Sequence, residues 1–326
     1  MDNIMHIALV SDIHYSCELE RQRYDFEKQG VPNPIYRFLA KLYRRFVWLK
    51  DPLNHYYKLD LFLDKVGSPD FAIALGDYTC DTSFIGIADE LSFASAKECL
   101  GKLQSKFGKN FKAIIGDHEL GKLSLFGGVG GLRLASYNRA VDELGLAPYW
   151  SLKFGKYVLV GITSTIIAMP IFQSEALVEE RPQWLELYNQ HLKAIAKIFD
   201  EVEADNRIIL FCHDPSALCY LVEEPSIQSK LNQIEMTIIG HLHSNAVLKA
   251  SNYLSGIPQI NFLGHTPKRL SKALRKSRVW KDFNLRLCPS LSGIQLLKDG
   301  GFCQLNLDLN GKQNAQFIFN HIPWDN

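Results

Sequence analysis

Side chains of the kinds that bind metal ions follow several apolar runs of this sequence. The apolar run at 71–75 ends in Gly76 and Asp77, and an apolar run ending in carboxylate or imidazole recurs at four other places. The pattern as a whole contains Asp12, His14, Asp77, Asp117, His213, His241 and His243. Carboxylates mixed with imidazoles favour divalent Mn, Fe, Zn or Co over the all-oxygen sites typical of Ca and Mg. Seven ligands are too many for one four-coordinate ion, so the sequence predicts two divalent metal ions that share a bridging carboxylate.

The order of these residues resembles the signature of a known family. Asp12-Ile13-His14, Gly76-Asp77, Gly116-Asp117-His118-Glu119, His213 and Gly240-His241-Leu242-His243 occur in that order. They are similar to the D-x-H, G-D, G-N-H-E/D, H and G-H-x-H blocks of the calcineurin-like metallophosphoesterases. The resemblance extends from residue 7 to about residue 245 and leaves out the last quarter of the chain.

This resemblance implies a role for each matching residue. Asp12, His14 and His243 would hold the first metal ion, Asp77 would bridge, and Asp117, His213 and His241 would hold the second. His118 would lie beside the phosphoryl oxygens, where it stabilises charge or protonates the leaving group. The alternative for His118 is a structural partner of Glu119 or of a turn, and His213 taken alone would be an ordinary core histidine.

Asp117 departs from the family pattern, which has asparagine at this position. Two divalent ions carry a charge of about +4, and three carboxylates reduce it to about +1 where the family pattern leaves about +2. We therefore expect the attacking water to be less acidic, and the rate profile to lie at higher pH than that of Asp117→Asn.

The elements that position these residues follow from periodicity. Continuous apolar runs predict buried strands at 4–10, 71–75, 111–115, 207–212 and 236–239. Helical spacing and breaker residues predict helices at 35–49, 53–66, 85–107, 132–144 and 182–202. A hairpin is predicted at 149–154 and 157–163 around Gly155-Lys156, and further strands at 259–263, 302–309 and 316–319. Together with the resemblance, this predicts an α/β fold: a four-layer α/β/β/α metallophosphoesterase sandwich with mixed sheets and a helical cap insertion.

Two basic segments lie outside the family blocks. The first is in the insertion at about 16–58, which we expect to act as a cap, and the second is a basic helical segment at about 267–281. The ordinary interpretation is two surface helices that pack on the domain by their apolar sides. The alternatives are elements that bind an anionic membrane surface and admit a lipid-bearing substrate, or a basic rim that attracts a nucleotide or another phosphate.

Composition narrows the class of protein. The chain has 326 residues with 47% hydrophobic residues and a net charge of +1, which favours one globular domain over 1–326 and gives no reason to expect a nucleic-acid partner. Its seven cysteines include no C-x-x-C pair, a usage typical of a reducing compartment. Cys80 is interpreted as a core thiol and His265 as a loop residue. No segment is long enough to span a bilayer, so we expect a cytoplasmic protein, at most peripheral to the membrane.

The sequence thus predicts a phosphoesterase that cleaves a phosphoric ester or anhydride bond of a phosphorylated small molecule or lipid-linked nucleotide. Two more specific alternatives are an enzyme like the UDP-2,3-diacylglucosamine pyrophosphatases, which the insertion and basic helices resemble, and a cyclic nucleotide phosphodiesterase. A third alternative, from another class, is a non-catalytic scaffold of the same fold.

Overall fold

The computed structural model describes residues 3–23, 26–80, 82, 84–124, 128–254, 271–272 and 274–324. Its strands are β1 (Ile4–Val10), β2 (Phe71–Ala74), β3 (Phe111–Ala113), β4 (Tyr149–Phe154), β5 (Tyr157–Ile162), β6 (Arg207–Cys212), β7 (Ile234–Ile239), β8 (Leu285–Leu287), β9 (Gly301–Asp308) and β10 (Gln316–His321).

These strands form two five-stranded mixed sheets. The first has the order β10-β9-β1-β2-β3, and the second has the order β4-β5-β6-β7-β8. In the first sheet β1, β2 and β3 are parallel to one another, β9 is antiparallel to β1, and β10 is antiparallel to β9. In the second sheet β5 to β8 are parallel, and β4 joins as the antiparallel arm of the predicted hairpin.

The two sheets pack face to face around an apolar core. Side chains alternate along each strand, so Ile209 and Phe211 of β6 point into the core between the sheets, while Ile208 and Leu210 face the outer layer. Ile7 and Leu9 of β1 meet them from the first sheet. Burial on both faces explains why these strands read as continuous apolar runs.

Helices cover the outer faces. The α-helices are α1 (Glu18–Arg21), α2 (Phe26–Gly30), α3 (Pro34–Phe46), α4 (Tyr57–Lys65), α5 (Glu90–Phe107), α6 (Asp117–Leu120), α7 (Leu134–Asn138), α8 (Ser164–Ile167), α9 (Met169–Phe172), α10 (Arg181–Asp200), α11 (Leu218–Leu221), α12 (Pro225–Gln228) and α13 (Asn245–Tyr253). Segments of 3₁₀- or π-helix lie at Pro52–His55, Gly86–Ala88, Arg139–Glu143, Gln173–Glu175, Val178–Glu180, Pro215–Ala217, Leu231–Gln233 and Ser277–Phe283.

The outer helices complete four layers. Phe62 of α4 packs against Phe302 of β9 with a distance of 5.1 Å between ring centroids, which places α4 on the first sheet. Trp184 and Phe199 of α10 are fully buried in the same cluster as Val160 of β5, on the outer side of the second sheet. The predicted α/β fold with two mixed sheets and flanking helices is confirmed.

Several predicted elements differ in detail. The single helix predicted at 53–66 is divided into the 3₁₀ turn Pro52–His55 and α4, and the helix predicted at 132–144 changes to a π turn after Asn138. The short edge strand β8 was not predicted. The strand predicted at 259–263, His265, and residues 267–270 and 273 of the basic segment lie outside the described residues.

The two basic segments have opposite outcomes. In the described part of the second segment, Leu274 and Trp280 are buried and the basic side chains Arg275 and Arg278 are exposed, as expected of a surface element. For α3 the ordinary interpretation is wrong, because its large apolar side chains are exposed. Asn33 caps this helix by accepting hydrogen bonds from the backbone N–H groups of Ile35 and Tyr36.

Candidate metal centre

All seven candidate ligands lie at the carboxyl ends of parallel strands. Asp12 and His14 follow β1, Asp77 follows β2, and Asp117 follows β3, so these four belong to the first sheet. The three remaining histidines follow strands of the second sheet, His213 after β6 and His241 and His243 after β7. Carboxyl ends of parallel strands meet at one edge of a sheet, and here the corresponding edges of both sheets come together.

Asp12, His14 and His243 form the first group. Their ligand atoms lie within 4.8 Å of one another, and all three side chains are buried. His243 Nε2 lies 3.2 Å from Asp12 Oδ1, and His14 Nε2 lies 3.4 Å from His243 Nε2. One carboxylate and two imidazoles therefore point at a common centre.

Asp77, Asp117, His213 and His241 form the second group, within the same limit of 4.8 Å. His213 Nε2 lies 3.1 Å from Asp77 Oδ2 and 3.4 Å from Asp117 Oδ1. His241 Nδ1 lies 3.4 Å from the same Asp117 oxygen. Asp117, which replaces the expected asparagine, thus lies at the middle of this group.

Asp77 connects the two groups. Besides its place in the second group, it lies within 4.8 Å of ligand atoms of His14 and His118. Its Oδ1 accepts a hydrogen bond from the backbone N–H of His118 at 3.1 Å, which leaves Oδ2 directed toward the histidines. Asp77 therefore lies between the two groups, at the place predicted for a shared carboxylate.

Backbone hydrogen bonds between loops hold these side chains together. The N–H of Asp12 donates to the carbonyl of Gly76, and the N–H of His14 donates to the carbonyl of Asp77. The N–H of His241 donates to Asp12 Oδ2 at 3.1 Å and so joins the second sheet to the first.

Positive φ angles, uncommon for residues other than glycine, occur at five of the candidate ligands: Asp12, His14, Asp77, His241 and His243. Such conformations cost of order 1 to 3 kcal/mol each and tend to occur at functional sites.

Gly76 permits the close approach of the β2 and β3 loops. Its φ is +96°, and a Cβ atom here would lie 2.7 Å from the Cα of Gly116 and 3.1 Å from Nδ1 of His213. Any larger residue would therefore displace the loop that carries Asp117 or the ring of His213.

The imidazole rings are oriented by partners outside the two groups. Nδ1 of His213 donates to the carbonyl of Leu75 at 2.7 Å, and Nδ1 of His14 donates to the carbonyl of Thr79 at 3.0 Å. In its neutral form each ring would therefore carry its proton on Nδ1 and present Nε2 to the site, the arrangement in which histidines bind metals. His241 uses Nδ1 toward Asp117, and its Nε2 lies 3.8 Å from Asp214 Oδ2.

The buried carboxylates and imidazoles of the site shift one another's pKa values. Burial disfavours ionisation of Asp12, but His243 and the other histidines outweigh it and hold the pKa of Asp12 below its usual range. Burial opposes protonation of His213, yet Asp77 and Asp12 raise its pKa well above 6.5. By contrast, burial, with the neighbouring His118 and His243, lowers the pKa of His14 to about 3.

Buried ligand atoms of the site have no hydrogen-bond partner in the described part of the chain. They are Asp12 Oδ1, Asp77 Oδ2, both carboxylate oxygens of Asp117, and Nε2 of His213. Leaving such atoms unpaired costs about 1 to 3 kcal/mol each, more for charged groups. Five such atoms among the candidate ligands fit the binding of metal cations.

A search against protein families agrees with this geometry. The model of the family described as "Calcineurin-like phosphoesterase" matches residues 5–245, which is most of the chain. The chain belongs to the calcineurin-like phosphoesterase family. The predicted resemblance is thus confirmed, and it spans β1 to the start of α13.

Other comparisons are weaker. No curated protein sequence matches this phosphoesterase significantly. It is similar to a metallophosphoesterase from Sphaerobacter thermophilus (12% identity, 98% of this chain and 89% of the other, TM-score 0.36) and to a phosphopantetheinyl hydrolase from Mycobacterium tuberculosis (13%, 74% and 84%, 0.36). A predicted phosphoesterase from Streptococcus pneumoniae is 7% identical over 97% of this chain and 98% of the other, with a TM-score of 0.31. These scores are too low to transfer a substrate.

Glu119 positions the centre of this calcineurin-like phosphoesterase, a role that the sequence did not reveal. Its buried carboxylate accepts four backbone N–H groups: Oε2 from Gly116 and Asp77, and Oε1 from Tyr78 and Thr79. It therefore holds the β2 and β3 loops against each other. Burial raises the pKa of Glu119 to about 7, while the bonds from backbone N–H groups act in the opposite direction.

His118 lies at the edge of the phosphoesterase site. Its Nδ1 donates to the carbonyl of Cys80 at 3.2 Å, its Nε2 contacts Nζ of Lys122, and Nε2 also lies 3.6 Å from Asp77 Oδ2. The Cys80 thiol is buried, as predicted for a core residue. Lys122, four residues after His118 on the next turn of chain, was not among the predicted site residues.

A cavity of about 430 Å³ opens from the metal centre. Asp77, His118, His241 and His243 lie at its polar end, together with Lys122. The remaining lining is mainly apolar and includes Ala40, Tyr43, Trp48, Phe84, Leu123, Ile171, Phe172, Val247 and Trp280. The ring of Trp48 packs against that of His243 with 4.6 Å between ring centroids and a tilt of 37°, so the insertion after β1 forms one wall of the site.

Proposed function

We propose that this protein hydrolyses a phosphoric ester or anhydride bond at a dinuclear metal centre. The observation that carries this proposal is the pairing of two ligand groups through Asp77, with buried ligand atoms that lack partners, at the end of a cavity. Membership of a metal-dependent phosphoesterase family supports the reaction class.

The residues fit two cations as follows. Asp12, His14 and His243 would hold the first, Asp117, His213 and His241 the second, and Asp77 would contact both. We propose Mn as the first metal to test, since Mn, Fe, Zn and Co all accept this mixture of oxygen and nitrogen ligands. When bound, such a pair activates water and neutralises charge on the phosphoryl oxygens.

His118 and Lys122 act on the substrate side of the site. Because Nδ1 of His118 is held by the Cys80 carbonyl, Nε2 is the atom that can hold a proton for the leaving oxygen. The ammonium group of Lys122, next to that nitrogen, adds positive charge where a phosphoryl oxygen would lie.

The cavity favours a substrate with an apolar substituent. Its wall of aromatic and aliphatic side chains could bury an acyl chain or an aromatic ring beside the reacting phosphorus. We propose that the insertion at about 16–58 acts as a cap, because Tyr43 and Trp48 from it line this cavity. The apolar wall supports a lipid-linked phosphate more than a small polar ester.

The test is metal analysis combined with turnover of bis-p-nitrophenyl phosphate, before and after chelation and with added Mn. We expect about two metal ions per chain, activity that chelation removes and Mn restores, and loss of at least a hundredfold in kcat for Asp77→Asn. The matched control is Asp70→Asn, a described aspartate outside both groups. A folded, metal-loaded protein without turnover of any phosphate ester would favour the scaffold alternative.

A substrate panel separates the remaining alternatives. It contains a lipid-linked nucleotide diphosphate, a cyclic nucleotide and a short-chain ester of the same phosphate. We expect kcat/KM to increase with the apolar area of the substituent. Preference for the cyclic nucleotide would instead mean that the cavity binds a nucleobase.

The seven buried free cysteines support our proposal of a reducing cytoplasmic location.

A further inference from the structure

The outward face of α3 is apolar. A surface helix ordinarily turns its apolar stripe toward the core, but in α3 the buried residue is Ala40. Large side chains at helical spacing lie on the opposite side, with exposed fractions of 68% for Ile35, 61% for Phe38, 51% for Leu39, 37% for Leu42 and 60% for Phe46. Contiguous apolar surface of this kind marks a site of interaction.

The inward face explains this orientation. Ala40, Tyr43 and Arg44 line the cavity of the metal centre. Tyr43 stacks on Trp48 with 6.3 Å between ring centroids, and Trp48 packs against His243. The side of α3 that faces the protein is therefore used by the site, and the apolar stripe is left outside.

A neighbouring turn extends the apolar surface. The N–H of Leu296 donates to the carbonyl of Val47 at 3.2 Å, and that of Gln295 donates to the carbonyl of Trp48. Leu296 and Leu297 are 64% and 45% exposed, beside the C-terminal end of α3. We call α3 together with Leu296 and Leu297 the docking face.

Basic residues flank the docking face. Lys41 and Arg45 are exposed and four residues apart, so they follow one edge of the stripe next to Phe38. The sequence has no acidic residue between Lys28 and Lys50, although the net charge of the whole chain is only +1. The positive charge is therefore local to this face.

We propose that the docking face binds an anionic lipid bilayer, with α3 lying in the headgroup region. A convex stripe of aromatic and aliphatic side chains with lysine and arginine along its edge is the arrangement of interfacial amphipathic helices. A second copy of the chain fits less well, because two such faces would bring like charges together. No helix in the described ranges is long and apolar enough to cross a membrane, so α3 would lie on the bilayer.

Docking would place the cavity beside the lipids, because α3 is both its wall and the bilayer contact. Docking does not depend on the proposed hydrolysis, since vesicle binding can be measured with metal-free protein. Failure of one proposal is therefore distinguishable from failure of the other.

The test is co-sedimentation with vesicles of phosphatidylcholine containing phosphatidylglycerol, at low and high salt, and with vesicles of phosphatidylcholine alone. We expect binding to the anionic vesicles that salt weakens. Lys41→Gln/Arg45→Gln should weaken it roughly tenfold or more, because each basic residue near such a surface contributes about 1 kcal/mol. Phe38→Ser/Leu42→Ser should weaken binding at both salt concentrations.

The matched control is Val178→Ser/Leu185→Ser, which changes apolar residues of comparable exposure, 69% and 47%, outside the docking face. It should bind like the wild type. Thermal unfolding of all variants checks that they are folded. The proposal is overturned if the wild type stays in the supernatant at low salt, or if the control loses as much binding as Phe38→Ser/Leu42→Ser. It is also overturned if light scattering finds a wild-type dimer that Phe38→Ser/Leu42→Ser converts to a monomer, while the wild type does not bind vesicles.

Discussion

At the scale of single residues, the carboxylate of Glu119 holds the β2 and β3 loops together by accepting four backbone N–H groups. Glutamine in its place has one acceptor oxygen and one NH₂ group, so two of the four backbone N–H donors would face another donor. We expect Glu119→Gln to lower the free energy of unfolding by about 1 to 3 kcal/mol, measured by urea denaturation. The matched change Glu90→Gln removes a carboxylate whose side chain is 82% exposed, and should have little effect.

Asp117 places a negative charge where the family pattern has a neutral asparagine. Asp117→Asn keeps an oxygen ligand and removes one negative charge from the second group. We expect weaker Mn binding by titration calorimetry and a rate profile displaced to lower pH than that of the wild type, because more positive charge remains beside the attacking water. Identical pH profiles for the two proteins would show that the carboxylate does not tune the site.

Residue types alone predicted the candidate ligands, which the structure brings together, but not their supporting side chains. The seven candidates stood out because carboxylates and histidines after apolar runs are uncommon in a core. Glu119 was visible only as part of a motif, and Asp214 only as the residue after His213. Trp48 and Lys122 had no signal in the sequence, because their proximity to His243 and His118 depends on how the chain folds back on the site.

At the scale of elements, Trp48 ties the insertion after β1 to the metal centre. Trp48→Ala would remove the ring that packs on His243 and leave the imidazole less well held. Aromatic pairs of this kind are worth about 0.5 to 1.5 kcal/mol, so Mn affinity should fall roughly twofold to tenfold. Trp48→Phe keeps an aromatic ring and should recover most of the affinity. Equal Mn binding by the alanine variant would mean that the insertion only covers the cavity.

Elements buried on both faces were the most predictable. β6 and β7 lie between the core and an outer layer and therefore appear as continuous apolar runs. β8 has three residues and includes the exposed Arg286, so it carried no such signal. The apolar stripe of α3 was also evident, but periodicity tells which side chains share a face and not which face is buried.

At the scale of the whole molecule, the ligands come from both sheets, so metal binding should stabilise the sandwich. Ligand binding to the folded state adds about 2.7 kcal/mol when free metal is in roughly a hundredfold excess over Kd. We expect Mn to raise the melting temperature and chelation to reverse the increase. Asp70→Asn should retain the whole increase, and Asp77→Asn should lose most of it.

This stabilisation should depend on pH, and its sign follows from His213. Asp77 and Asp12 hold the pKa of His213 well above its ordinary value of 6.5. In metal-free protein the charged imidazole therefore stabilises the fold fully below pH 6.5. This contribution is lost as the pH rises through the elevated pKa. Mn needs the neutral ring, so protons compete with the metal at low pH. The difference in melting temperature between metal-loaded and metal-free protein should therefore increase from about pH 6 to about pH 8. A difference that stays constant or shrinks over this range would show that His213 does not take part in binding the metal.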